Sequence, residues 1–339
     1  MSLGLSSTRS SAAGCWLVIY PVAVFSSRNF KLQDKAERIV ILGTGGTIAG
    51  KAADAADNVG YKAGQVGVDQ LVLAAPPLAA FKLETEQVAQ LDSKDMDFAT
   101  WQRLAQAVDR HLQRDDVRGV VITHGTDTLE ETAYLLMRVL APRKPVVLTA
   151  AMRPSTALQA DGPQNLLDAV AVASQAASGV FAVLAGRIHG ATRLRKVHSY
   201  AIDAFASVEG GALGTVEEGR VRWLSQAEAE LPPLGLSRIA RDASQWPWVE
   251  IVQNHAGADG RVVEAMLAHG VHGIVVAGTG NGTLSNGLTA ALQKARDRGV
   301  SVLRSTRCDA GPVIGGELPS AGALSPVKAR IELLLQLLA

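Results

Sequence analysis

The chain has 339 residues, 47% hydrophobic and 19% charged, enough for one large or two medium globular domains. A formal net charge of +1 and an aromatic content of 4% exclude an electrostatic footprint for nucleic acid or an anionic membrane, and a base-stacking platform. Cys15 and Cys308 are the only cysteines and make no disulfide framework. The histidines are scattered and no Cys/His pair has ligand spacing, so neither a metal nor another cofactor is expected.

Residues 1–37 are rich in Ser and Ala, with one apolar patch from Cys15 to Phe25. The patch is too short to span a membrane and carries Pro21. One early arginine, Arg9, and no clear small-x-small site make a poor signal peptide. A disordered extension and a cytoplasmic rather than periplasmic protein are expected.

The apolar run Ile39–Leu42 reads as a buried parallel strand that enters the glycine turn Gly43-Thr44-Gly45-Gly46-Thr47-Ile48-Ala49-Gly50. A dinucleotide fingerprint starting at Gly43 needs glycine where Ile48 stands, and the Gly-Lys-Ser/Thr of a P-loop is missing. Thr47 lies just past a strand's carboxyl end, where open α/β sheets bind ligands, and is the candidate nucleophile. Residues 51–67 lack apolar periodicity and read as a mobile loop with one aromatic, Tyr61. Val68 to Ala75 predicts a short helix stopped by Pro76-Pro77, and Phe81 to Val88 a strand. Asp95 or Asp97 caps a helix running through Trp101, Leu104, Val108 and Leu112.

Val120 to Ile122 is the next strand, ending in the polar turn His124-Gly125-Thr126-Asp127-Thr128. The pattern continues with helix Leu129 to Leu140, strand Val146 to Leu148, the loop Ala150 to Ser155, helix Asn165 to Ala177 behind Pro163, and strand Phe181 to Ala185. This alternation is the signature of a parallel sheet with crossover helices. Arg187, Arg193, Arg195 and Lys196 follow in a short basic span. A Pro-containing stretch, 225–245, reads as a linker. Beyond it come strand Val249 to Val252, helix Arg261 to Ala268, strand Gly273 to Val276, the turn Gly278 to Thr283, strand Val300 to Arg304 and helix Pro326 to Leu338.

Together, TGGTIAG at Thr44 to Gly50 and HGTDT at His124 to Thr128 resemble the bacterial-type L-asparaginase family. The resemblance runs from about Arg38 to the C-terminus. It implies a two-domain α/β fold, with a larger N-terminal parallel-sheet domain at 38–224 and a smaller C-terminal α/β domain at 246–339. It also implies a threonine nucleophile at Thr47 assisted by Tyr61, and a second catalytic group of Thr126, Asp127 and Lys196. Ser93 then holds the substrate α-carboxylate and Asp127 its α-ammonium. Lys94 stands beside the substrate where well-studied members carry Gln, and the Ala151 carbonyl meets the leaving amide. Asn281 matches an Asn that reaches a neighbouring subunit's site, so a homotetramer with shared sites is implied. The resemblance gives His124 no catalytic role.

The expected reaction is hydrolysis of L-asparagine to L-aspartate and ammonia through a threonine acyl-enzyme. Either Tyr61, or Lys196 through Thr126, takes the Thr47 proton. Two alternatives are a dual glutaminase-asparaginase and a catalytically inactive amino-acid binder. Glu317 is the only candidate for the glutamate that glutaminase-capable members supply, which favours asparagine. An amidotransferase subunit needs an extra N-terminal domain, for which residues 1–37 are too few.

Overall fold

The structure is a computed structural model that describes residues 37–225 and 231–339. The expected disordered extension therefore lies, except for Glu37, outside the described residues. The strand β1 (Arg38–Gly45) is followed by α1 (Val68–Leu73), β2 (Leu83–Leu91), α2 (Phe98–Leu112), β3 (Val117–Thr123), α3 (Leu129–Val139), β4 (Pro145–Thr149), α4 (Gly162–Gln175) and β5 (Gly179–Leu184). Val40, Ile41 and Leu42 of β1 are fully buried on both faces of the sheet, which is why the strand reads as an unbroken apolar run. Asp97, not Asp95, caps α2, its carboxylate accepting from the Thr100 N–H at 2.7 Å.

These strands form one sheet in the order β2-β1-β3-β4-β5, all neighbours parallel. Five short strands follow: β6 (Arg187–Gly190), β7 (Leu194–Lys196), β8 (Phe205–Ser207), β9 (Gly214–Glu217) and β10 (Arg220–Trp223). Of these, β6, β9 and β10 continue the sheet as an antiparallel edge beyond β5, and β7 pairs with β8 in a separate ribbon.

The C-terminal domain contains β11 (Val249–Gln253), α5 (Arg261–Ala268), β12 (Gly273–Gly278), α6 (Asn286–Asp297), β13 (Ser301–Thr306) and α7 (Pro326–Leu337). Its three strands lie parallel in sequence order. One apolar core runs through both domains: Tyr134, Leu135 and Leu136 of α3 cluster with Ile331, Leu334 and Leu335 of α7. No helix of the described residues is long and apolar enough to cross a membrane.

Candidate active site

Because β2, β1 and β3 are parallel neighbours, their carboxyl ends emerge side by side. The loops after them carry Ser93, Thr47 and the Thr126-Asp127 pair. Gly46 adopts φ 80° and ψ −173°, a conformation open essentially to glycine alone. Its N–H donates to the Leu91 carbonyl at 2.8 Å. A Cβ there would lie 2.3 Å from the Cα of Gly125, and one on Gly125 would lie 2.4 Å from Ser93 Oγ. The Gly46 loop thus meets the other two backbone to backbone, and Gly125 meets the Ser93 side chain, at distances only glycine permits.

Thr47 is buried, and its Oγ1 lies 2.6 Å from the Tyr61 hydroxyl. The loop expected to be mobile is tied back at two levels. Lys51 and Lys62 exchange backbone hydrogen bonds at 3.0 and 2.9 Å, and the Gln65 and Val66 N–H groups both donate to the Ala49 carbonyl. Tyr61 therefore stands one residue from a closed bridge, over the turn that holds Thr47.

The second group is centred on a cation. Lys196 Nζ donates to Thr126 Oγ1 at 2.9 Å and to Asp127 Oδ1 at 2.6 Å. The lysine side chain is 18% exposed and the aspartate 51%, so this ion pair faces outward on the aspartate side. Ser93 is buried; its Oγ accepts from the Asp127 N–H at 3.2 Å, and its carbonyl from the Thr128 hydroxyl at 2.8 Å. Lys94 is not joined to these residues. Its ammonium pairs with Asp92 at 2.9 Å and Asp95 at 3.0 Å, an exposed arrangement that raises its pKa through those hydrogen bonds.

Ala151 is buried in the loop after β4. Asp161, just before α4, and Asn165, in its first turn, hold that loop. Asp161 accepts from the Met152 and Arg153 N–H groups at 3.0 and 2.9 Å, and Asn165 donates to the Ala150 carbonyl at 2.9 Å. Their signal was an Asp four residues ahead of an Asn at a helix start, a pattern indistinguishable from an ordinary cap.

The sequence profile described as "Asparaginase, N-terminal" matches residues 38–229, and that described as "Glutaminase/Asparaginase C-terminal domain" matches residues 248–339. The chain belongs to the asparaginase family. It is 36% identical to a glutaminase-asparaginase of Pseudomonas fluorescens biotype A, over 93% of this chain and 90% of that one. It is 38% identical to L-asparaginase 2 of Escherichia coli (strain K12), over 88% of each. A solved structure titled as a probable cytoplasmic L-asparaginase from Campylobacter jejuni superposes with a TM-score of 0.81 at 38% identity, covering 89% of this chain and 95% of that one.

Set against the asparaginase family, two side chains show what they do within a single chain. His124 is fully buried, and its Nδ1 lies 2.7 Å from the Gly125 carbonyl, which requires the proton on Nδ1. Nε2 then accepts from the Thr132 hydroxyl at 2.9 Å, and that hydroxyl oxygen accepts from Trp101 Nε1–H at 2.8 Å. Burial lowers the imidazole to about 4, so it stays neutral and holds the HGTDT turn in shape. Asn281 is tied within its own chain to the carbonyl and N–H of Ile314, both at 2.8 Å, on an exposed loop. Among the described residues no cluster of three or more His, Cys, Asp or Glu could hold a metal ion.

Proposed function

We propose that the chain hydrolyses the side-chain amide of L-asparagine to L-aspartate and ammonia. The observation that carries this is the 2.6 Å contact between the buried Thr47 hydroxyl and Tyr61, next to a loop bearing a Lys196–Thr126 hydrogen bond. Thr47 Oγ1 attacks the amide carbon. Its proton passes to the Tyr61 oxygen, and the Tyr61 proton goes to the leaving nitrogen, which departs as ammonia. Water then cleaves the β-aspartyl ester, its proton passing to the Tyr61 oxygen while the Tyr61 proton returns to Thr47 Oγ1, and the Lys196 ammonium holds Thr126 and Asp127 in place through its two hydrogen bonds. Backbone N–H groups of the glycine turn and of Thr126 stabilise the oxyanion. Ser93 takes the α-carboxylate, Asp127 the α-ammonium, and the Ala151 carbonyl the amide nitrogen. Lys94, its ammonium offset by the Asp92 and Asp95 carboxylates, makes no direct hydrogen bond to the substrate.

The two domains span 38–224 and 246–339 in this reading, and the working form is a homotetramer. The half-exposed Asp127 favours sites completed by a neighbouring chain; Asn281 reaches such a neighbour only by releasing its hydrogen bonds to Ile314. The test is ammonia release from L-asparagine and L-glutamine by the wild type and Thr47→Ala. Release from asparagine should exceed that from glutamine, and the variant should lose at least about 10³-fold in kcat. Undiminished activity in Thr47→Ala refutes the nucleophile; a folded wild type that binds asparagine without turnover establishes the binder instead.

A further inference from the structure

Lys196 lies on β7, a three-residue strand paired with β8 and separate from the main sheet. Successive backbone groups of an antiparallel strand point to opposite edges. The Val197 N–H turns toward the β8 side, donating to the Ala204 carbonyl at 2.8 Å. The backbone groups of Leu194 and Lys196 therefore face the other edge, and that edge is covered by two side chains in place of a strand. Lys328 Nζ donates to the Leu194 carbonyl and, at 3.0 Å, to that of Thr192. Glu130 Oε1 accepts from the Lys196 N–H at 3.3 Å. Glu130 Oε2 stands 3.7 Å from Lys328 Nζ, an ion-pair contact, and has no hydrogen-bond partner, so the two side chains face each other.

The pair joins the two domains. Glu130 is in the first turn of α3, directly after the HGTDT turn, and Lys328 is in the first turn of α7. Their side chains are 14% and 1% exposed. An ammonium this deeply buried is costly, and an apolar side chain of the same shape would pack a helix interface without that cost. Its presence is accounted for by work only a cation does, taking two carbonyls of one strand edge and a carboxylate at once.

We propose that Lys328 and Glu130 are positioning residues for Lys196, setting the height of β7 so that the lysine ammonium meets Thr126 and Asp127. The C-terminal domain thereby supports a catalytic group of the N-terminal domain. The proposal rests on the role given to Lys196 above. The contacts at 2.9 and 2.6 Å leave little room for the strand to drift, and a displacement near 1 Å costs about 10²-fold in rate.

The experiment compares Lys328→Met, Lys196→Met and the double variant in the full chain, with folding followed by circular dichroism and Tm. Lys328→Met should lower kcat on L-asparagine by about 10- to 100-fold with KM little changed, because Ser93 and Asp127 keep their places. In the Lys196→Met background the same change should cost nothing more. A folded Lys328→Met with wild-type kcat overturns the proposal, as does an equal further loss in the Lys196→Met background. Full activity in Lys196→Met removes the role of Lys196 itself, and the proposal with it. An inactive Lys196→Met beside a fully active Lys328→Met overturns the positioning role alone. Should Lys328→Met not fold, Glu130→Ala carries the test from the other half of the pair, and Glu130→Gln, which keeps an acceptor for the Lys196 N–H, should restore most of kcat. Equal kcat in those two variants overturns the proposal.

Discussion

At the scale of single residues, the site depends on atoms that are missing. Gly46 occupies backbone space closed to other residues, and a methyl group there would press on the Cα and N of Gly125 at 2.3 and 2.4 Å. Neither is the end of a flexible side chain, so one loop must move. Gly46→Ala should cost about 1–3 kcal/mol of stability from the backbone conformation alone. It should cost much more in activity, about 10²-fold or greater in kcat/KM, because the shift falls between Thr47 and Thr126. Urea unfolding and ammonia release on the same preparation check the two halves; near-normal turnover would mean that the loops tolerate separation. His124 shows the opposite economy. A histidine in the motif invites an acid/base role, but its two hydrogen bonds and its buried, neutral ring make it a strut for the turn.

At the scale of elements, α3 and α7 are docked by a buried ion pair as well as by their shared core. Arg138 Nε and Nη2 donate to the two Glu332 carboxylate oxygens at 2.7 and 3.0 Å, and the Tyr134 hydroxyl donates to the same carboxylate at 3.0 Å. The side chains are 6% and 12% exposed. Removing one partner leaves the other charge buried and alone, so Glu332→Ala should destabilise by about 3–5 kcal/mol. Glu332→Gln, which keeps an acceptor, should cost less, and Tm measurements separate the two. No local pattern announces this pair, since Arg138 and Glu332 are 194 residues apart. The same holds for Lys196 and Thr126, 70 apart, which the family resemblance alone joined. What could be read locally were the strands buried on both faces, such as β1, β3 and β12, and helices with strong stripes such as α2, which buries Trp101, Leu104 and Val108. Strands β6 to β10 have three or four residues each, too short to show a period. Helix α6 passed unread because its buried stripe, Leu288, Ala291, Leu292 and Ala295, is half alanine and thinly apolar.

At the scale of the whole molecule, buried titratable groups set how the fold answers acid. His124 and His189 are both buried and both lowered from 6.5 to about 4, His189 by burial and then by Arg187. Between these values the unfolded chain binds protons that the folded chain refuses, so stability rises with pH, by up to about 1.4 kcal/mol per unit for each group. Their contribution is complete above 6.5 and is lost as pH falls toward 4. Glu131 works the other way. Burial raises its carboxyl from 4.5 to about 7 against the pull of Arg330, so the folded chain holds an extra proton in that window and stability falls as pH rises. Two groups against one leave a net rise, and stability at pH 6.5 should exceed that at pH 5 by about 2 kcal/mol. Removing the opposing group should steepen the dependence, so Glu131→Gln should widen the gap and be the more stable chain above pH 7. Urea unfolding of both proteins across this range decides it: a flat or inverted profile in the wild type would mean that the two imidazoles take up protons without unfolding, through partners the buried rings do not have at neutral pH.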